Sequence, residues 1–427
     1  MSTTLVDVLP SVGRAAPPRF DPLIWPITTH ADEEGRLCIG EVPVTDIADQ
    51  FRTPVYVLDE TDFRYRARRY RKVLRGAEIV YSAAALLTIA VARWAREEGL
   101  GLAVCSAGEL TTAIGGGVDP ARIVMHGNAR SVEELRAAVR VGVGRIVVDP
   151  DIEIAYLAGL AARRQRVLLR VTPGTDIHQQ PEDVARVLAH HNLDLVGLHC
   201  HIGSQITDAA RYGEPIRQMI AAMADIHARC GVILTELNIG GGHGIPYGSN
   251  DPELDLVQLG DVIDDTLDMA CAAERFPRPV VVVEPGRGIS GRAGVTLYRV
   301  CSVNTRPGGG TSVVVDGGMS DNPQAARYRA KCTAVLANRH SLGPKQQVSV
   351  AGRHCAAGDE IAHEIELPSD VHPGDLLAVA CTGAYHHSMA SNYTLVGRPP
   401  VVAVKDGRAR ELVRRETTAD LLARDRG

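Results

Sequence analysis

The chain has 427 residues, 45% apolar and 23% charged, with a formal net charge of −5; that is too long for one small core and enough for a large barrel plus a second domain. The acidic balance argues against nucleic acid or an anionic membrane as partner, and no stretch approaches the ~18 unbroken apolar residues of a membrane span. The start lacks a basic segment before a long apolar run, so no secretory leader is expected, and nine cysteines without C-x-x-C spacing suggest neither a zinc site nor a disulfide framework and fit a reducing cytoplasm.

Residues 1–30 read as a loose end. "RLCIGEVPVTDIADQFRTPVYVLD" then looks like a series of strands. From about residue 78 short β-branched runs alternate with amphipathic helices. The strands are "EIVYSA", "GLAVCSA", "RIVMHGN", "RIVVDP", "VLLRVTP", "LVGLHCHIG", "ELNIGGG" and "VVVVEPG". Near-continuous hydrophobic strands imply burial on both faces, as in a parallel sheet. Eight strand–helix units predict a (β/α)8 barrel of the TIM type rather than an open doubly wound sheet. After about residue 297 strand-like runs follow Gly, Pro and Asp turns without regular helices, which predicts an antiparallel β domain. The expected organisation is α/β plus all-β: residues 1–52 contribute to the β domain, 53–297 form the barrel, and 298–427 complete the β domain, with 418–427 a second loose end.

In such barrels functional groups sit where strands end at the C-terminal mouth. Strand six ends in "HCHIGSQ", with His201 and Ser204; strand seven ends in "GGGHG", with Gly241 and Gly242; strand eight ends in "EPGR", with Glu284, Gly286 and Arg287. Each signal is weak alone, because "GGG" also occurs at 115–117 and 308–310, where a turn suffices. A single barrel histidine is commonly a packing residue, and a single arginine a solvated one. Their placement on consecutive strand ends describes a site for a phosphorylated, aromatic, protonatable cofactor. No metal site is indicated.

The ordered set "TPVYVLD", "CSAGEL", "HGN", "HCHIGSQ", "GGG", "EPGR", "DGGMSDNP", "HC-x-x-GD" and "TGAY-x-x-SMASNY" spans about residues 53–417. With these motifs the chain resembles the fold-type III, pyridoxal 5'-phosphate (PLP) dependent decarboxylases, and among them the diaminopimelate decarboxylases. The resemblance implies that His201 stacks on the PLP ring and that Glu284 keeps its nitrogen protonated. It also implies that Ser204, Gly241, Gly242, Gly286, Arg287 and Tyr385 bind the cofactor. Arg287, Gln324, Tyr328 and Tyr385 fall at substrate contacts. Cys355 matches the family's proton donor, which comes from the partner subunit, so a homodimer with shared active sites is implied.

Several positions depart from the family pattern. Its "YAxKAN" reads "YSAAAL" here, so Ala84 stands where the lysine that links PLP covalently is usual. The chain's four lysines are Lys72, Lys331, Lys345 and Lys405, and none is an obvious substitute. Ala103 replaces an aspartate, Gln324 an arginine that grips the substrate's distal carboxylate, and Ala356 a glutamate facing its distal amine. A segment after strand five is shortened. Each lost charge-assisted contact is worth about 1.5–3 kcal/mol, so diaminopimelate is not the expected substrate. Three readings remain open: a divergent enzyme acting on another amino acid or amine with non-covalent PLP, a catalytically inactive homologue with a binding or regulatory role, and a structural descendant whose motifs survive for packing.

Overall fold

Eight parallel strands close on themselves, and their period-two alternation sorts the barrel interior into layers. The strands lie in a computed structural model that describes residues 20–148, 152–172, 180–305, 310–328 and 332–427. They are β5 (Ala77–Ser82), β6 (Gly101–Val104), β7 (Ile123–Met125), β8 (Arg145–Val148), β9 (Gln165–Arg170), β10 (Leu193–His199), β11 (Glu236–Asn238) and β12 (Val280–Val283). β12 pairs with β5 to complete the ring. Val80, Ala103, Val124, Val147, Leu168, Val196 and Val282 form one apolar interior cluster, separate from the core between strands and helices. The N-terminal end carries charge: Arg145 bridges Glu78 at 2.7 Å and Glu236 at 3.1 Å, and Arg166 also pairs with Glu236. These ion pairs lie at an end that in this fold serves stability.

Outside the barrel, β1 (His30–Ala31), β2 (Leu37–Ile39) and β3 (Val42–Pro43) form a small sheet. A nine-stranded sheet is built from both sides of the barrel segment: β4 (Val55–Asp59) with β13 (Gly294–Thr305), β14 (Thr311–Val315), β15 (Ala334–Leu336), β16 (Lys345–Ala351), β17 (Glu360–Pro368), β18 (Leu376–Val379), β19 (Val401–Lys405) and β20 (Arg408–Val413). The long β13 makes this possible. Its first half pairs with β4 and β18, its second with β14.

The structure corrects four expectations. Val44–Phe51 is a helix, because Val44, Ile47 and Ala48 share one helical face and bury it. The second sheet is mixed: β4 with β19 and β14 with β16 run parallel. β4 falls by number in the expected barrel segment 53–297 yet pairs only within this second sheet. The ends are also ordered where described. Ile24 and Trp25 are buried, and Thr417 starts the helix Thr418–Leu422 with a capping box. The shortened stretch after strand five coincides with residues 173–179, outside the described residues. Among the described residues no helix is long and apolar enough to cross a membrane.

The helix Glu60–Val73 begins at Asp59, whose carboxylate accepts from the Thr61 and Asp62 amides, and it buries Tyr70 against the barrel mouth. The Tyr70 ring stacks on His243, with centroids 5.5 Å apart, and its hydroxyl shares a 3.0 Å hydrogen bond with Nδ1. His243 Nε2 is buried without a partner, and burial pushes the imidazole down to about 4. Between pH 6.5 and 4 the unfolded chain therefore binds a proton at this site that the folded chain excludes, so the site costs stability as pH falls. A His243→Phe variant is expected to lose about 2 kcal/mol less than wild type between pH 7 and pH 5, measured by urea denaturation of the cofactor-free proteins. Parallel pH profiles would show that the ring is protonated in the fold.

Candidate active site

Above the apolar layer the same inward register changes character. Two residues beyond Val80, Ala103, Val124, Leu168 and Val282 stand Ser82, Cys105, His126, Arg170 and Glu284. β10 joins this layer through an irregularity. Its register against β9 shifts between Leu195 and Gly197, which brings His199 opposite Arg170. Asn238 ends β11. The barrel mouth thus has a polar floor resting on valines and leucines.

Glu284 is its centre. His126 Nε2 and Asn238 Nδ2 both lie 2.7 Å from the same oxygen, Oε1. Burial opposes ionisation of Glu284, but the charge and hydrogen bond of His126, aided by Asn238, hold its carboxyl down to about 2. His199 Nε2 is 3.9 Å from Oε2, and burial holds that imidazole down to about 3, so it is neutral.

Over this floor lies a cavity lined by Ser82, His201, Ser204, Gly241, Gly242, His243, Glu284, Gly286, Arg287 and Tyr385. Every cofactor-binding position expected from the sequence is on that wall. The Arg287 guanidinium packs 4.8 Å from the centre of the Tyr385 ring and hydrogen-bonds Tyr247 Oη. No carboxylate pairs with it among the described residues, so it presents an uncompensated cation to the cavity. His201 stands at the open rim, and partial burial of its ring lowers its proton affinity, against the pull of Glu284. Two glycines are dictated by geometry. Gly242 has φ +87° and a Cβ there would meet Gly203 O at 2.2 Å; a Cβ on Gly286 would meet Ala85 Cβ at 2.9 Å and Ser82 Cβ at 3.1 Å.

Tyr385 arrives from the second sheet. Its segment is latched to the barrel where Tyr385 N and Ser388 Oγ both donate to Ala85 O, at 2.8 and 3.1 Å. Ala84 is half-buried between this latch and the cavity-lining Ser82. Gln324 is buried just outside the lining, its amide donating to Tyr385 O at 3.2 Å. Cys355 is exposed and does not line the cavity of its own chain. Tyr328 closes the helix Pro323–Tyr328, and its side chain lies outside the described residues.

Sequence reasoning missed His126, Arg170, His199 and Asn238. Counting in twos from the inward-facing Val124 and Leu168 finds His126 and Arg170. His199 is hidden by the register shift. Asn238 stands beside the glycine run, where the Gly signal drew attention past it.

The donors suit one kind of ligand. A cation and backbone amides lie on one wall, an ionised buried carboxylate with one open oxygen lies on the floor, and a flat imidazole stands at the rim. An anionic tail, a ring nitrogen and an aromatic face complement these in turn. The fold and site define a barrel enzyme of the class that works through a phosphorylated pyridine cofactor. Residues 60–291 match the family described as pyridoxal-dependent decarboxylase, pyridoxal binding domain. A diaminopimelate decarboxylase of Actinosynnema pretiosum subsp. auranticum is 46% identical over 443 residues, covering 99% of this chain and all of that one. The diaminopimelate decarboxylase of Mycobacterium tuberculosis is 41% identical over 435 residues, covering 94% and 97%. Among solved structures, diaminopimelate decarboxylase from M. jannaschii in co-complex with L-lysine superposes with a TM-score of 0.87 at 28% identity, covering 94% and 98%. The chain belongs to the pyridoxal-dependent decarboxylase family, a family of PLP-dependent carboxy-lyases.

Proposed function

We propose that this chain is a divergent diaminopimelate-decarboxylase-like enzyme that holds PLP without a covalent lysine link and acts at Cα of an amino acid or amine other than diaminopimelate. The carrying observation is an intact cofactor wall beside Ala84. Among the described residues no lysine lines the cavity. Among the described residues Lys405 pairs with Glu60 and Lys345 with Glu366, while Lys72 lies on the helix Glu60–Val73. Lys331 is outside the described residues.

When bound, PLP would supply a sink for the electron pair left at Cα as the carboxylate group departs as CO2. Glu284 holds a proton at the ring nitrogen, which deepens that sink. Arg287, Ser204 and the amides around Gly241 and Gly242 hold the phosphate, and His201 covers one ring face against water. Cys355 returns a proton to Cα. Its exposed place outside the chain's own cavity supports supply from a second copy of this chain, in a homodimer with shared sites. Gln324 and Ala356, the positions that family likeness puts at the substrate's distal end, carry no charge. That favours an amino acid or amine lacking diaminopimelate's second charged end.

Ala84 supports a second reading, an inactive homologue with a binding or regulatory role. Absorbance of the purified protein titrated with PLP separates the two. The expected result is a bound, unlinked aldehyde whose spectrum shifts when amino acids are added, with CO2 released from at least one that is not diaminopimelate. Binding without CO2 release across the amino-acid panel supports the second reading. No binding at millimolar PLP rejects both.

A further inference from the structure

Glu284 has two oxygens in different circumstances. Oε1 accepts from His126 and from Asn238, both at 2.7 Å. The Asn238 amide cannot turn round, because its Oδ1 already accepts from Gly240 N at 2.9 Å, which leaves Nδ2 for Glu284. Among the described residues Oε2 has no hydrogen bond; His199 Nε2 stands 3.9 Å from it, beyond bonding distance. The rings of His126 and His199 meet edge to face at 4.9 Å, so each fixes the other's plane. Glu284 lines the cavity.

Resting on the PLP reading above, we propose that His126 and Asn238 are positioning residues that saturate Oε1 of Glu284, fixing the carboxylate so that Oε2 alone is presented to the cofactor's ring nitrogen. Two donors on one oxygen lock the carboxylate plane and remove the competing rotamer in which both oxygens are half satisfied. They also keep the group ionised in a buried site, and an ionised acceptor is what favours a protonated ring nitrogen. Neutral His199 flanks Oε2 without occupying it, so the oxygen is desolvated yet free. His126, His199 and Glu284 could in principle surround a metal, since their ligand atoms lie within 4.8 Å of one another. The amide of Asn238 argues otherwise, because it directs N–H groups, not a ligand atom, at the shared oxygen.

The test compares two probes, PLP and its 1-deaza analogue, which keeps phosphate, ring and aldehyde but has carbon at the ring-nitrogen position. Dissociation constants are measured by fluorescence on the full-length wild type, His126→Phe, His126→Gln and Asn238→Ala. Wild type is expected to prefer PLP by about 10- to 100-fold, the scale of one charge-assisted hydrogen bond. His126→Phe and Asn238→Ala are expected to shrink that preference to about threefold or less while binding of the deaza analogue changes little. His126→Gln, which can still donate, is expected to recover most of it. A His126→Phe protein that keeps the full preference overturns the proposal, as does one that weakens both probes equally, the mark of a merely structural role. Wild type binding both probes alike would remove Glu284 from the ring nitrogen while leaving the PLP reading intact. Wild type binding neither would overturn the PLP reading and this proposal with it.

Discussion

The Ala84→Lys variant is expected to become covalently labelled when it is incubated with PLP and reduced with borohydride, whereas wild type is not. Position 84 follows the end of β5, between Ser82 on the cavity wall and Ala85, whose carbonyl anchors Tyr385 and Ser388. Its chain neighbours Ser82, Ala83 and Ala85 are small, and across the strand pair Ala103 O accepts from Ala83 N at 2.9 Å. The long flexible stem of a lysine can bring its amine over the polar floor, and partial burial favours the neutral, nucleophilic amine. Mass spectrometry reads the result as one reduced pyridoxyl group per chain at position 84 in the variant and none in wild type. Labelling of wild type at Lys331 would reveal a substitute lysine and overturn the unlinked-cofactor reading. A folded variant that binds PLP but is not labelled at position 84 would show that this position does not face the aldehyde.

Replacing Arg287 is expected to have the next largest effect. Its guanidinium lies against Tyr385 and Tyr247 and has no carboxylate partner among the described residues, so its charge is available to an anion. Losing a charge-assisted, geometrically fixed contact to phosphate costs about 1.5–3 kcal/mol, which is about 10- to 100-fold in affinity. Arg287→Ala should therefore raise the PLP dissociation constant by that factor while leaving pyridoxal, which lacks the phosphate, nearly unchanged. Isothermal titration with both compounds makes the comparison. Equal weakening of both would mean that Arg287 supports the wall instead of gripping phosphate. Arg287→Lys keeps the charge but loses the fork and the stacking, so it should fall between the two.

Much of this is legible in the sequence. The eight barrel strands announce themselves because a parallel sheet buried on both faces leaves continuous apolar runs, and each site motif sits where such a run stops. His201, Ser204, Gly241, Gly242, Glu284, Gly286 and Arg287 could therefore be placed together from strand endings alone, and the cavity lining contains them all. The helix Val44–Phe51 reads as strand in the sequence because Val and Ile at short spacing suit either period. Only the burial of Val44, Ile47 and Ala48 on one face decides between them. Tyr385 could be tied to the site by family likeness alone, since its segment reaches the barrel across 300 residues through two hydrogen bonds to one carbonyl.

The sequence by itself determined the barrel, the identity of the groups at its mouth and the alanine at position 84, because each is a matter of local pattern or residue type. The tertiary structure decided which way β10 faces. Strict alternation from inward-facing Val196 would send Leu198 and Cys200 into the barrel and turn both histidines outward. The register shift at that point reverses the phase: Leu198 and Cys200 join the core between strands and helices, and His199 stands opposite Arg170. A bulge of one residue carries no signature in composition or periodicity. It shows only in the pairing, where Gly197 stands opposite Leu168 of β9 on one side and Glu236 of β11 on the other.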